Sequence, residues 1–289
     1  MLLNLREVHR PGSDAGADGV DAALRLLARK GIRTVPVAGG DWLLGSADST
    51  VEAVVDLQGL GLDALAYDDA DRELRIGAMS SRAQLAGWEP ATRLGCGLLA
   101  EAARNWRGSL QRNRDTVGGA VAVAAPEDPL VAALLVLGAE ARVRSLAGET
   151  RYPLQSLIGN RRDILASPAL ILELIVPVPP GRFGAAMAQV GRTPADRPIV
   201  LAAAAMRAES GICLDARLAL CGVGAEPVLA AAAERLNGQR VDAGAIAGVA
   251  SAAASALEPA GDERGSAAYR RAMAEVLARR ALAQAWSCC

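Results

Sequence analysis

Two pairs of adjacent glycines are the residues of this sequence best suited to binding an anion. Gly39-Gly40 follows the β-favouring segment 33–38, and Gly118-Gly119 follows a Thr-Val dipeptide. Because glycine has no side chain, successive backbone N–H groups at such positions can face a phosphate or carboxylate group. Paired glycines are also common in tight turns, which is the commoner explanation for either pair alone. Together they predict two loops that could cradle a dinucleotide.

Most other chemistries are excluded by the composition. His9 is the only histidine, so a multi-histidine metal site is impossible and a Ser/His/Asp triad would depend on this one residue. The phosphate-binding patterns GxGxxG and GxxxxGK[ST] are absent, and Lys30 is the only lysine. None of the five cysteines has a metal-ligand or CxxC spacing, which indicates a reducing compartment. We interpret them as small apolar side chains plus a frayed pair at 288–289.

The length and charge balance predict a soluble protein of two domains. With 289 residues, of which 52% are hydrophobic, the chain can bury more than one core. Its 31 Lys and Arg residues nearly balance its 32 Asp and Glu residues, so no net field draws it to nucleic acid or to an anionic membrane. The sequence has no signal-peptide pattern and no apolar run of the roughly 18 residues that a membrane span needs. We therefore expect a cytoplasmic protein.

Short strands and helices are predicted around both glycine pairs. Apolar residues at helical spacing predict a helix over 18–29, and the segment 33–38 predicts a buried strand ending at the first pair. Further strands are predicted at 51–57, 73–78, 140–145 and 169–176, and helices after Ser81 and at 98–106 and 130–137.

A proline-rich run at 176–182 predicts the boundary of a second domain. Beyond it, the segments 199–207 and 212–220 predict an antiparallel pair that turns at Ser210-Gly211, followed by alanine-rich helices, an α+β arrangement. The last helix is predicted to begin after Ser266 as N-cap. Its buried stripe is predicted to contain Tyr269, Met273, Val276 and Leu277.

Five segments resemble, in order, the FAD-binding subunit or domain of the molybdenum hydroxylases of the xanthine and carbon monoxide dehydrogenase type. PVAGGDWL at 36–43 resembles P-x-A-G-G-T-D-L, IGAMS at 76–80 resembles I-G-A-L-T, and RNRDTVGG at 112–119 resembles R-N-R-G-T-I-G-G. LALCGVGAEP at 218–227 and RGSAAYRR at 264–271 resemble the C-terminal domain of that family. Each motif is modest alone, but five in the right order across almost the whole chain make a specific match.

The resemblance implies an α+β fold in two domains. The first, over 1–178, would be a two-part FAD-binding domain of the vanillyl-alcohol-oxidase or PCMH-like kind, with subdomains over about 1–57 and 58–178. The second, over 182–286, would be a small antiparallel sheet with helices, similar to the C-terminal domain of the CO dehydrogenase flavoprotein.

The resemblance also implies a division of labour among subunits. This chain would be an oxidoreductase subunit that holds FAD, while a small partner holds [2Fe-2S] clusters and a large partner holds the molybdenum cofactor. Electrons would pass from the clusters through FAD to NAD, a quinone or oxygen. Each cluster needs four thiolates, and this sequence lacks the spacing for them. We expect no catalytic residue and no metal ligand in this chain.

In that family, backbone amides of the two glycine loops hold the FAD pyrophosphate, which requires no lysine. Thr116 would add a hydroxyl, and Leu172 would lie against the flavin, although an ordinary core position in a strand explains it equally well. The implied cofactor-binding residues are Val37, Ala38, Gly39, Gly40, Asp41, Trp42, Leu43, Met79, Ser80, Thr116, Val117, Gly118, Gly119, Asp128 and Leu172.

Several positions depart from the family pattern. Asp41 stands where a Thr, Ser or His is usual, Ala120 replaces an Asn, and Pro129 occupies the place of a cofactor-binding Asp, with Asp128 just before it. Each lost polar contact costs about 1 kcal/mol. An alternative hypothesis is therefore a flavin-free relative that acts as a structural or assembly subunit. A stand-alone flavin oxidase of the vanillyl-alcohol type ranks lower, because no His or Tyr base lies near the loops.

Overall fold

The computed structural model describes residues 4–12, 17–46, 48–165, 168–193 and 196–289. In this part of the chain the strands are β1 (Glu7–His9), β2 (Thr34–Val37), β3 (Ala53–Asp56), β4 (Leu65–Asp68), β5 (Glu73–Gly77), β6 (Glu140–Ser145), β7 (Gly148–Pro153), β8 (Ala169–Pro177), β9 (Arg182–Val190), β10 (Val200–Glu209), β11 (Ile212–Cys221) and β12 (Val228–Leu229). The helices are α1 (Ala17–Leu27), α2 (Asp41–Ser46), α3 (Arg82–Gly87), α4 (Glu89–Arg93), α5 (Leu98–Arg104), α6 (Ser109–Arg114), α7 (Val117–Val123), α8 (Pro129–Val136), α9 (Leu154–Gly159), α10 (Arg161–Ile164), α11 (Ala243–Ser255) and α12 (Ala267–Ser287).

A three-stranded parallel sheet of order β1-β3-β2 carries the first glycine pair. Helix α1 covers it with a stripe of Val20, Ala23 and Leu24, which recur at helical spacing and are buried. Parallel strands end at the same edge of a sheet, so the chain leaves β2 and turns at the glycines beside the end of β3.

The second sheet is antiparallel and has the order β4-β5-β8-β6-β7. Helix α8, with the sequence PLVAALLV, is buried on every side and lies in the largest apolar cluster together with residues of α5 and of the sheet. The pairing of β5 with β8 continues into the next loop, where the Ala78 N–H donates to the Leu172 carbonyl at 2.9 Å. The sheet thereby places Met79 and Ser80 beside β8.

A four-stranded antiparallel sheet of order β12-β11-β10-β9 forms the second half of the molecule. Side chains alternate along a strand, so β10 divides between two cores. Leu201, Ala203 and Ala205 belong to the cluster that contains α8, whereas Ala202 and Ala204 face the cluster of α11 and α12. The predicted hairpin between β10 and β11 is present, and Ser210 and Gly211 both adopt the left-handed conformation.

Some predictions about elements were wrong. Strands β1, β4, β7, β9 and β12 were not predicted, and the polar segment at 108–115 contains helix α6. The sequence of β9, RFGAAMAQV, has little intrinsic preference for a strand, but it is held by continuous pairing with β10. Local sequence therefore did not reveal this strand.

The buried stripe of α12 also differs from the prediction. Ser266 is the N-cap, as predicted, and Leu277 is buried, but Tyr269 is 38% exposed. Arg270 and a row of alanines take the inner face instead, because the helix lies close against the alanine-rich strands β9 and β10. The terminal cysteines are not frayed: α12 runs to Ser287, and the Cys289 thiol donates to the Met206 carbonyl at 3.1 Å.

No helix among the described residues combines the length and the apolarity of a transmembrane span. In the same part of the chain, no group of three or more His, Cys, Asp or Glu side chains is arranged to hold a metal ion.

Candidate functional site

The first glycine pair forms a short loop rich in unpaired backbone donors. Strand β2 ends at Val37 and α2 begins at Asp41, so three residues connect them. Gly40 has φ +78°, a left-handed conformation that glycine adopts without strain. Within the described residues, the N–H groups of residues 38–43 donate to no protein acceptor, and the first that does is Leu44, to the Gly40 carbonyl at 2.9 Å. This run of amides can serve an anion.

Some side chains of the first loop pack beneath it, and one is exposed to solvent. Val37 and Leu43 pack with Val51 and Val54 beneath the loop. Trp42 points away from that cluster and is 62% exposed. Val37 and Leu43 therefore hold the loop in place, whereas the Trp42 ring forms part of the solvent-exposed surface.

The second glycine pair lies at the start of α7. The Thr116 hydroxyl caps this helix by accepting from the Gly119 N–H at 3.1 Å. The N–H groups of Val117 and Gly118 donate to the carbonyls of Ser80 and Ala78 at 2.9 and 2.8 Å. Three amides of this loop are thus engaged within the protein, unlike those of the first loop.

Backbone contacts at two glycines bring the loops together. A β-carbon placed on Gly39 would lie 2.7 Å from the Arg114 carbonyl carbon and closer still to its oxygen. The Arg114 guanidinium in turn donates to the Gly39 carbonyl at 3.3 Å. A β-carbon on Gly118 would lie 2.6 Å from the Ala78 β-carbon. Since no other residue fits at either position, both glycines are required for this close approach.

The predicted residues Met79, Ser80 and Leu172 meet beside the second loop. The buried Ser80 hydroxyl donates to the Asp63 carbonyl at 3.0 Å, so it fixes the segment after β5 to the segment before β4. Leu172 is buried in an apolar cluster that Met79 also contacts. Both residues therefore pack with α1 and the end of the parallel sheet.

Asp128 lies behind the second loop, away from the other predicted residues. Its carboxylate accepts two hydrogen bonds from the Arg82 guanidinium, at 3.1 and 2.5 Å, and one from the Leu130 N–H at 2.9 Å. Both side chains are about 1% exposed. Asp128 therefore neutralises a buried arginine and caps α8.

A stack of charged and aromatic groups connects Asp128 to the first loop. Arg82 lies over the Trp106 ring at 4.5 Å, and Arg107 lies over the same ring at 5.1 Å. Arg107 also donates to the Asp41 carboxylate at 2.6 Å. The Asp41 carboxylate, whose charge would repel a bound anion, is thus paired with the Arg107 guanidinium.

Asp115 completes this stack beneath the second loop. Its carboxylate accepts from the Trp106 indole at 2.5 Å, and its carbonyl accepts from the Arg82 N–H at 3.0 Å. Burial raises the pKa of the Asp115 carboxyl, while the hydrogen bond from Trp106 and the charge of Arg82 lower it. Asp115, just before Thr116, is therefore held in place through both its side chain and its backbone.

Sequence reasoning missed the arginines and Trp106 of this stack. The signal available was the run of Arg107, Arg112 and Arg114 just before the second glycine pair. These residues place positive charge beside the first loop, which the count of one lysine does not reveal. Arg82 gave no signal, because an arginine at the start of a helix is ordinarily exposed.

The arrangement suits binding of a pyrophosphate group. Among the described residues, the amides of residues 38–43 have no protein acceptor, and they match the acceptor oxygens of that group. Met79, which is partly exposed at the edge of the buried Leu172 cluster, offers apolar surface to an aromatic ring system. The residues present therefore fit FAD.

Comparison with known families agrees with this geometry. Residues 15–179 match the FAD binding domain in molybdopterin dehydrogenase, and residues 185–285 match the CO dehydrogenase flavoprotein C-terminal domain. Fold and loops thus define an FAD-binding oxidoreductase subunit. The chain belongs to the family of FAD-binding medium subunits of the molybdenum hydroxylases of the CO dehydrogenase type.

Similar proteins cover nearly the full chain. The chain is 34% identical to the 6-hydroxypseudooxynicotine dehydrogenase complex subunit alpha of Paenarthrobacter nicotinovorans, over 93% of this chain and 92% of the relative. It is 29% identical to the carbon monoxide dehydrogenase medium chain of Afipia carboxidovorans, over 99% and 98%. A solved structure of carbon monoxide dehydrogenase from Hydrogenophaga pseudoflava superposes with a TM-score of 0.90 at 29% identity, with full coverage of both chains.

The pairing of Asp41 with Arg107 predicts opposite effects of two substitutions on FAD affinity. Asp41→Thr removes a negative charge beside the loop amides and should strengthen binding roughly fivefold, whereas Arg107→Ala leaves that charge unneutralised and should weaken binding by a similar factor. The pair is partly exposed, so the free energy of unfolding should change by less than about 1 kcal/mol in either variant. Flavin fluorescence titration and urea unfolding measure the two quantities.

The double variant Asp41→Thr with Arg107→Ala is the control for this pair. It should bind FAD at least as well as the original protein, because no charge remains for Arg107 to neutralise. Weaker binding by Asp41→Thr alone would contradict the electrostatic explanation.

Proposed function

We propose that the first glycine loop holds the FAD pyrophosphate through the amides of residues 38–43. The observation that carries this proposal is that, in the part of the chain that the structure describes, these N–H groups have no protein acceptor, while Gly39 packs too closely against the Arg114 carbonyl group to admit a side chain. The second loop contributes differently, because the N–H groups of Val117 and Gly118 are used to fix it to the polypeptide at 78–80. Its role would be to close the site and to present the Thr116 end of α7.

Of the other candidate residues, some would contact the flavin and others would hold the loops in place. Met79 and Leu172 would lie toward the flavin ring as apolar side chains. Asp128 would act indirectly by holding Arg82 beneath the second loop, and Ser80 by bracing the segment at 62–64. The FAD domain would extend over 1–178 and the C-terminal domain over 182–286.

We also propose that the chain relays electrons within a larger complex. FAD, when bound, supplies both one-electron and hydride chemistry, so it can connect single-electron carriers with a two-electron acceptor. Electrons would arrive from [2Fe-2S] clusters of a small partner subunit and originate at a molybdenum cofactor in a large partner. The acceptor would be NAD, a quinone or oxygen. This chain's residues would bind, orient and enclose the cofactor.

A flavin-free structural subunit is the second candidate. It is favoured by Ala120, which is buried in α7 and offers no side-chain hydrogen bond, and by Pro129. The Asp41 carboxylate favours it less, since Arg107 pairs with that charge. The two candidates differ in flavin content.

An absorbance spectrum of the purified chain between roughly 300 and 550 nm distinguishes them. We expect two flavin bands that persist after incubation with FAD and desalting. The same spectrum should be measured on the chain purified with its complex, together with the iron and molybdenum contents. Flavin, iron and molybdenum in fixed ratio would support the relay. An active complex without flavin would overturn it in favour of the structural subunit.

A further inference from the structure

Three of the five cysteines meet where the last helix reaches the first half of the chain. Cys96 lies in the turn Leu94–Gly97 before α5, and Cys288 and Cys289 follow α12. The Cys96 side chain lies close enough to the Cys288 thiol to interact with it, and this interaction, followed by burial, raises the pKa of the Cys288 thiol to about 11. Residues almost two hundred positions apart in sequence thus place two thiols near each other.

Strand β9 is the surface on which both partners rest. A β-carbon on Gly184 would lie 2.7 Å from the Cys288 β-carbon, so glycine at this position lets the end of α12 approach the strand. On the neighbouring residues, a β-carbon on Gly95 would lie 2.9 Å from the Ala185 β-carbon and 3.0 Å from the Phe183 ring. The turn that carries Cys96 and the segment that carries Cys288 are therefore seated side by side by backbone packing.

The backbone of the turn presents Cys96 to solvent. Gly95, Cys96 and Gly97 are all left-handed, with φ of +52°, +57° and +82°. Such a conformation is uncommon for a residue with a β-carbon and indicates that the surroundings hold the turn in place. Cys96 is exposed, and Cys289 lines a surface cavity of about 620 Å³ together with Arg182 and Trp286. Small solutes can therefore reach the cluster.

We propose that Cys96 and Cys288 form a reversible disulfide bond when the protein meets hydrogen peroxide. The exposed Cys96 sulfur would attack the peroxide, giving a sulfenic acid and one molecule of water. The Cys288 sulfur would then attack the Cys96 sulfur, forming the S–S bond and releasing a second water. The two thiols lose two electrons and two protons in total, and the peroxide accepts them. A dithiol reductant reverses the reaction by thiol–disulfide exchange.

Cys288 is the expected partner for two reasons. Cys289 is already engaged, since its thiol donates to the Met206 carbonyl at 3.1 Å. A bond between the adjacent Cys288 and Cys289 is disfavoured, because neighbouring α-carbons are about 3.8 Å apart, closer than the roughly 4.4–6.8 Å that disulfides span. The bond to Cys96 would instead tie the end of α12 to the first half of the chain.

Peptide mapping of the full-length protein after peroxide treatment and alkylation tests this proposal. Trypsin should release, without reductant, peptide 94–104 joined to peptide 281–289, lighter by two hydrogens than the pair after reduction. The crosslink closes a loop of roughly 190 residues, so the midpoint of thermal unfolding should rise by roughly 5–10 °C and return on reduction.

Matched serine variants locate the bond. Cys96→Ser and Cys288→Ser should each abolish the joined peptides and the thermal shift, while Cys289→Ser should keep both. The spectrum of bound flavin should be the same in all three reduced variants. Failure of oxidised protein to yield the joined peptides, or a crosslink that survives in Cys288→Ser and disappears in Cys289→Ser, would overturn the proposal.

Discussion

Replacing Arg82 with leucine should lower the free energy of unfolding by about 3–5 kcal/mol, because it leaves a buried carboxylate without its cation. Arg82 is about 1% exposed and is held by two hydrogen bonds to Asp128 and by the face of Trp106. Asp115 lies 3.8 Å from its Nε and would lose the same positive charge. Urea unfolding of the purified variant measures the loss. We also expect the desalted variant to retain little FAD, since the second loop rests on this arginine.

Arg93→Ala is the matched control for the buried arginine. Arg93 is 80% exposed and pairs with Glu89 at 2.6 Å in the i,i+4 relation of α4. Its removal should cost less than about 0.5 kcal/mol and leave the flavin content unchanged. Arg82→Lys should fall between the two variants, since lysine keeps the charge but cannot form the two-pronged contact. A loss below about 1 kcal/mol in Arg82→Leu would show that the buried pair is dispensable.

The second large effect is expected from Gly39→Ala, which should weaken FAD binding by at least a factor of about ten. A β-carbon at this position collides with the carbonyl group of Arg114. That carbonyl cannot easily move, because the adjacent Asp115 is bonded through its N–H to Gln111 and through its carbonyl to Arg82. The first loop must therefore shift, and its free amides move with it. Flavin absorbance after desalting, measured over a series of FAD concentrations, gives the affinity.

Gly45→Ala provides a control in the same segment. Gly45 lies in α2, where a β-carbon added to it would meet no heavy atom within 4 Å, and its φ is not positive. Alanine there should leave FAD affinity unchanged and stabilise the protein slightly, by about 0.5 kcal/mol. Urea unfolding of both variants separates loss of binding from loss of folding. Equal FAD retention by the two alanine variants would contradict a role for close packing at Gly39.

Elements with strong local patterns could be predicted from the sequence. The helix stripe of α1, the hairpin turn at Ser210-Gly211 and the Ser266 N-cap all depend on residues within a few positions of one another. Strand β9 could not be predicted in this way, because its state depends on pairing with β10. The prediction of which α12 side chains are buried was wrong for a similar reason. Alanine side chains become buried only where another element packs closely against them, and the local sequence does not show where that happens.

The candidate site shows the same division. Its glycine pairs are visible in the sequence, and their order together with three further motifs identifies the family. Which amides remain unpaired is a tertiary property: within the described ranges, those of residues 38–43 have no protein acceptor, while those of Val117 and Gly118 are engaged by the segment at 78–80. The sequence likewise shows Asp41 as an unfavourable charge, and only the fold reveals Arg107 beside it.

The sequence by itself determined the family, the cofactor class, the two glycine pairs and the exclusion of a multi-histidine metal site, because these depend on residue type and order. Only the tertiary structure decided how the loops meet, that Arg82 and Asp128 are buried beneath them, and that Cys96 lies near Cys288. Those features join residues from 46 to almost two hundred positions apart. Contacts over such separations arise from how sheets and helices pack, which no local pattern of residues encodes.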